Sequence, residues 1–292
     1  MLKIRNLNKS FSTNKVLRGL NLDLEENKIY GLLGRNGVGK TTLLNIVANQ
    51  IKRDGGEVNF YGEELYENPR AVADICLVRE KKIAAGDMKV KDIFKIAKIL
   101  YKNWDEAYKD YLVREFNLDL KKKYDKLSRG NQTIVGLIIG LASRAKLTIF
   151  DEPALGLDAA HRDDFYNLIL SDWEKNPRTI IISTHLIDEV TNLFEEVIIL
   201  KEGNIFIKEE VPSLLEKAYY LKGKGEDIRA CVDIERIIYK ESFGNTEIIG
   251  IFQNLSKEEK TSLRKKDVEI SPIPLQKLFI YLTESPSIKE VS

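Results

Sequence analysis

The rhythm of apolar and polar positions changes several times along this chain, and each rhythm predicts a different element. Residues 1 to 30 alternate in two pieces, Leu2-Ile4-Leu7 and Val16-Leu17 through Leu22-Leu24, on either side of the turn residues Ser10 to Asn14. Period two over runs of this length predicts an antiparallel, hairpin-like sheet. A short apolar run, Ile29 to Leu33, then leads into Gly34-Arg35-Asn36-Gly37-Val38-Gly39-Lys40-Thr41, and Leu43, Leu44, Ile46 and Val47 follow at helical spacing. Glycines bracket another short alternating strand between Asp54 and Gly62, and Ala73 to Val78 is a continuous apolar run of the kind that fills a buried strand.

From Met88 to Tyr124 the period lengthens. Val90, Ile93, Phe94, Ile96, Ala97, Leu100 and Tyr101, then Tyr108, Tyr111, Leu112, Phe116 and Leu118, recur at helical spacing, which predicts an inserted helical region whose aromatic residues belong to a core. Ser128 stands as an N-cap before Thr133 to Ala142, a helix apolar nearly all round and therefore buried. Two buried strands follow, Lys146 to Phe150 and Thr179 to Ile182, ending in Asp151-Glu152 and in Ser183-Thr184-His185. Past Val211-Pro212-Ser213 the pattern predicts a small α+β tail: strands at Ala218 to Lys222, Thr246 to Phe252 and Val268 to Ile270, with helices at Glu226 to Tyr239, Ser256 to Lys265 and Leu275 to Thr283.

Composition narrows the picture little beyond this. At 292 residues the chain exceeds the usual size of one core, so a domain with a sizeable appendage is expected. Its 46 basic and 45 acidic residues give a net charge of +1, which argues against a protein whose main work is gripping nucleic acid or a membrane surface. Cys76 and Cys231 each lie in an apolar run and read as buried free thiols, and two histidines are too few for a His/Cys metal site. With no run of 18 apolar residues and no signal-peptide core, a soluble cytoplasmic protein is expected, linked to a membrane only through a partner.

The chemistry concentrates in a few segments. Gly34 to Thr41 is G-x-x-x-x-G-K-[ST] between a strand and a helix, the context that lets successive backbone N–H groups and a helix N-terminus surround a polyphosphate. Lys40 would sit on the outer phosphates and the Thr41 hydroxyl on a magnesium ion. Asp151 and Glu152, at the carboxyl end of a parallel strand beside that loop, suit a metal shell and the activation of water. His185 ends a neighbouring strand, whereas His161 reads as a surface residue.

With the phosphate loop, Leu127-Ser128-Arg129-Gly130-Asn131, Phe150-Asp151-Glu152-Pro153, Gly156-Leu157-Asp158 and Ser183-Thr184-His185 in this order, the chain resembles the nucleotide-binding subunit of an ABC transporter over roughly residues 1 to 210. The resemblance implies an α/β P-loop NTPase cassette, residues 1–213. It would comprise a RecA-like core, an antiparallel β subdomain and a helical insert at about 88–142, followed by a small C-terminal α+β accessory domain, residues 214–292. It further implies binding and hydrolysis of ATP with Mg2+, with two cassettes, identical or not, paired head to tail.

In that arrangement Phe11 would stack on adenine, its other reading being a phenylalanine at the edge of the core. Asn36, Gly37, Val38, Gly39, Lys40, Thr41 and Thr42 would cradle the phosphates, and Asp151 would position magnesium with Thr41. Glu152 would be the general base, His185 would contact the γ-phosphate, Ser128 and Gly130 would bind that phosphate across the dimer, and Asp158 would link the two sites. Glu80 stands where the family has a metal-contacting glutamine, and a carboxylate there implies a stronger dependence on magnesium. The overall look is similar to Gram-positive exporters of peptides, antimicrobials or amphipathic molecules. Such a motor works at the inner face of the membrane through a separately encoded transmembrane permease, docked at the helical insert, and takes no nucleic acid. A membrane-independent ABC ATPase of translation or DNA repair is the alternative, disfavoured by a single phosphate loop and the lack of a heptad run.

Overall fold

The structure, a computed structural model, describes residues 1–79 and 87–284. In chain order the elements are β1 (Leu2–Phe11), β2 (Asn14–Leu24), β3 (Ile29–Gly34), α1 (Lys40–Val47), β4 (Gly55–Phe60), β5 (Glu63–Glu64), α2 (Pro69–Val72) and β6 (Ile75–Arg79). Next come α3 (Val90–Leu100), α4 (Glu106–Glu115), α5 (Arg129–Ala142), β7 (Leu147–Asp151), α6 (Ala159–Lys175), β8 (Thr179–Ser183) and α7 (Ile187–Val190). The remainder is β9 (Glu196–Lys201), β10 (Asn204–Glu210), α8 (Val211–Leu215), β11 (Ala218–Gly223), α9 (Gly225–Arg229), β12 (Ile237–Phe243), β13 (Thr246–Phe252), α10 (Lys257–Lys265), β14 (Glu269–Pro272) and α11 (Leu275–Thr283).

Two compact units result, one of residues 1–185 and 192–208, the other of residues 186–191 and 209–292. In the first, an antiparallel sheet runs β2-β1-β4-β5 and a six-stranded sheet runs β10-β9-β3-β8-β7-β6. The strands β9, β3, β8, β7 and β6 are mutually parallel. All residues of β7 and β8 are buried, as a parallel sheet covered on both faces requires. The alternation of β1 slips between Ile4 and Leu7, where Asn6 takes φ 47° and the register with β2 shifts. That bulge is why Leu2, Ile4 and Leu7 all reach the core although their spacing is not strictly even.

The insert is helical as its period predicts, with α3, α4 and α5 inside residues 88–142. Asp105 caps α4 by accepting from Tyr108 N, and Ser128 caps α5 by accepting from Asn131 N. α5 lies so close to the sheet that a Cβ on Gly140 would sit 2.6 Å from the Phe150 ring. The expected apolar stripe of the insert is only partly core. Val90, Ile93, Phe94, Ala97 and Leu112 are buried, but Ile96, Leu100 and Tyr111 are exposed, because α3 and α4 each present a single face to their neighbours.

The second unit is a four-stranded antiparallel sheet, β12-β13-β11-β14. Leu221, Ile249, Ile251, Ile228 and Leu263 form its core, drawn from β11, β13, α9 and α10. The helix expected over Glu226 to Tyr239 is corrected here: α9 stops at Arg229, and Ile237–Phe243 is a strand. Two adjacent β-branched residues and two aromatics favour the pleated surface, and Gly244-Asn245 closes a tight hairpin with β13. Cys76 is a buried free thiol as expected, whereas the Cys231 thiol is only half-buried. Among the described residues no helix is long and apolar enough to cross a membrane.

Candidate functional site

The strand β3 delivers the chain to a glycine loop at its carboxyl end, and the loop delivers it to the first turn of α1. Gly39 sits at φ 115° as the N-cap of α1, a conformation closed to other residues, and a Cβ there would stand 2.9 Å from Leu17 Cδ2. Gly37, at φ 79°, is required by its backbone alone, since no atom lies within 4 Å of an added Cβ. No side chain caps α1, so its first N–H groups remain directed at whatever lies in front of the loop. Asn36 and Thr41 are exposed beside that space, with Val38 and Thr42 half-buried. The Lys40 ammonium curls back over the loop, donating to the Gly34 and Arg35 carbonyl oxygens. Burial pushes its pKa down, opposed by the nearby Glu152 and Asp151 carboxylates.

The tips of β7 and β8 bring the acids and the histidine to the same place. Asp151 is buried, and its Oδ2 accepts from Thr41 Oγ1 at 3.2 Å. Glu152, one residue past the strand, has φ 54°, a left-handed conformation that costs a non-glycine residue about 1–2 kcal/mol. It is held by its own N–H on Ser183 O at 2.8 Å and by its Oε2, 2.9 Å from His185 Nδ1. The two consecutive carboxylates meet different partners, Asp151 the Thr41 hydroxyl and Glu152 the His185 ring. Sequence reasoning did not single out Ser183. Its hydroxyl is fully buried without a hydrogen-bond partner, and its register position beside Asp151 puts it on the same face of the sheet.

A second cluster gathers at the start of α5. Ser128 Oγ accepts from Asn131 N at 3.2 Å, and a Cβ on Gly130 would lie 3.5 Å from Gly156 O. Thr133 Oγ1 donates to Leu155 O at 3.1 Å, tying the helix to the turn after Glu152. That turn ends at Asp158, whose Oδ1 caps α6 by accepting from His161 N and lies 2.8 Å from His161 Nδ1; these contacts hold its pKa below the usual carboxylate range. His161 is exposed, as expected. Phe11 is half exposed at the end of β1, with Lys9 Nζ 5.3 Å from its ring centroid. Glu80 lies outside the described residues.

The oxygens of Thr41 and Asp151, with the orphaned Ser183 hydroxyl near them, make a donor set suited to a small hard cation, and the glycine cradle suits a polyphosphate. A buried parallel sheet with a glycine loop at one strand tip and carboxylates at the next defines a phosphate-loop nucleoside triphosphatase. Comparison with known proteins narrows this class. Residues 17–155 match the family model described as ABC transporter. An uncharacterised ABC transporter ATP-binding protein, MJ1023 of Methanocaldococcus jannaschii, is 31% identical over 76% of this chain and 82% of its own length. The ABC transporter ATP-binding protein YtrB of Bacillus subtilis is 27% identical over 96% of this chain and 97% of its own. The lantibiotic transport ATP-binding protein SrtF of Streptococcus pyogenes is 29% identical over 72% and 91%. A solved ATP-binding subunit of an ABC transporter superposes with a TM-score of 0.67 at 21% identity, covering 73% of this chain and 91% of that one. The chain belongs to the ATP-binding subunits of ABC transporters, and its activity is that of an ATPase.

Proposed function

We propose that this chain powers the export of peptides, antimicrobials or amphipathic molecules through a separately encoded transmembrane permease at the inner face of the membrane. The name of SrtF, a lantibiotic transport ATP-binding protein, supports that reading over a role in translation or repair. Residues 1–213 would be the motor and residues 214–292 an accessory domain; YtrB supports including the latter, since its likeness runs through both.

The observation that carries the mechanism is the Glu152–His185 contact at 2.9 Å beside the Thr41–Asp151 pair at 3.2 Å. Lys40 and the N–H groups of residues 36–42 bind and orient the triphosphate of ATP, which rests against Phe11 at its base. Glu152 accepts the proton of the attacking water as that oxygen approaches the γ-phosphorus. His185, its Nδ1 2.9 Å from Glu152 Oε2, would contact the γ-phosphate and keep the base aligned with the bond being broken. Mg2+, when bound at Thr41 and Asp151, neutralises phosphate charge. Ser128 and Gly130 of a second cassette would complete the γ-phosphate shell, and Asp158 would report one site to the other.

The test is Glu152→Gln. We expect hydrolysis to fall by about a thousandfold while ATP stays bound, and sedimentation with ATP and Mg2+ to give a dimer that dissociates when nucleotide is removed. A nucleotide-loaded variant that sediments as single copies would overturn the paired-cassette reading.

A further inference from the structure

The geometry points to Arg79 as a positioning residue for the magnesium end of the nucleotide site, acting through Asn45 of α1; this rests on the ATPase reading above and deepens it. Arg79 is the last residue of β6, and its strand partner in register is Asp151. Register partners on adjacent parallel strands face the same side of the sheet, here the side on which Asp151 meets Thr41. Asn45 lies four residues beyond Thr41, one turn further along the same face of α1. Arg79 Nη2 donates to Asn45 Oδ1 at 2.6 Å and also to Gln50 Oε1, just past the end of the helix.

Helix and sheet are therefore joined by two parallel rungs. The upper one, Thr41 to Asp151, joins two groups that would be drawn apart or together by a cation between them. The lower one, Asn45 to Arg79, involves no group of the phosphate cradle, and the guanidinium supplies a planar, charged donor. Two rungs a turn apart add to the packing of Leu43, Leu44, Ile46 and Val47 in setting the rotation and height of α1 against the sheet. The Thr41 hydroxyl is thereby held at the distance from Asp151 at which both can serve one ion.

The experiment measures binding of a fluorescent ATP analogue in Mg2+ and in EDTA, alongside thermal unfolding. Arg79→Ala is expected to weaken binding about tenfold in Mg2+ and to leave binding in EDTA unchanged, since the cradle itself is untouched. Asn45→Ala should show the same loss and the double variant no more than either, the signature of a shared contact. Arg79→Lys should fall between. Equal affinity of Arg79→Ala and wild type in Mg2+, or an equal loss in both media, overturns the inference; should Arg79→Ala fail to fold, Asn45→Ala alone decides it. If wild type binds no nucleotide in either medium, the reading of the cradle as a nucleotide site fails instead.

Discussion

The parallel sheet of the first unit and the antiparallel sheet of the second use their polar residues in opposite ways. In the first, β3, β7 and β8 run the same way, so their carboxyl ends arrive together and put Lys40, Asp151, Glu152 and His185 at one edge. In the second, neighbouring strands run oppositely, so strand ends alternate between two edges and no such convergence arises. Its polar groups are consumed locally: Arg229 and Lys240 flank Glu247, Arg236 meets Glu259, Lys260 Nζ donates to the Tyr219 hydroxyl, and Tyr220 and Tyr281 share a hydrogen bond. One sheet leaves its donors and acceptors facing outward from a strand edge, and the other closes them on each other. The candidate catalytic groups gather in the first arrangement, and the polar pairs named in the second hold its own elements together.

That contrast can be broken or sharpened by experiment. The largest effect belongs to Lys40→Ala: losing two charge-assisted phosphate contacts at about 2 kcal/mol each should weaken ATP about a thousandfold, with the unfolding temperature hardly moved. An affinity within threefold of wild type by calorimetry would show that the cradle does not grip phosphate as described. Next, Leu263→Ala empties a fully buried site in the second unit and should cost that unit about 3 kcal/mol in denaturant titration, while nucleotide affinity in native buffer stays unchanged. A matching drop in affinity would mean that the two units do not divide their labour in this way.

The smallest effects concern one carboxylate in each unit, buried in the first and half-buried in the second. Burial acts to raise the pKa of Glu196, but Lys208 and Lys28 overcome it and hold it below the usual range; Glu247 is treated alike by Arg229 and Lys240. A depressed folded pKa means stability that is present above the unfolded value, about 4.3, and lost as pH falls through the folded one. Glu196→Gln should therefore cost about 1 kcal/mol at pH 7, a cost that shrinks as pH falls through the folded value, with Glu247→Gln, more exposed, costing less. Melting curves of the two variants that keep their offset from wild type down to pH 2 would count against this account.

Much of the fold was legible because its signals are local. The continuous apolar run Ile180 to Ile182 reads as a buried strand, and Ser128 before an apolar helix carries the signature of a cap, whatever else it does. Over Glu226 to Tyr239 reading failed because a five-residue helix, a tight turn and a strand follow each other without a glycine or proline to mark the change. Ile96 and Leu100 misled because a stripe of helical period says that one face is buried without saying how wide that face is. Neither the left-handed turn at Glu152 nor the orphaned hydroxyl of Ser183 had any local signature.

Taken alone, the order of residues determined what depends on near neighbours: the curl of Gly34 to Thr41, the caps at Ser128 and Asp158, the period of each strand and helix. Only the tertiary structure decided that Arg79 faces Asn45 and that Glu152 faces His185. Those pairs are set by strand register and by how a helix is rotated against its sheet, quantities that side chains far apart in the chain settle together when they pack.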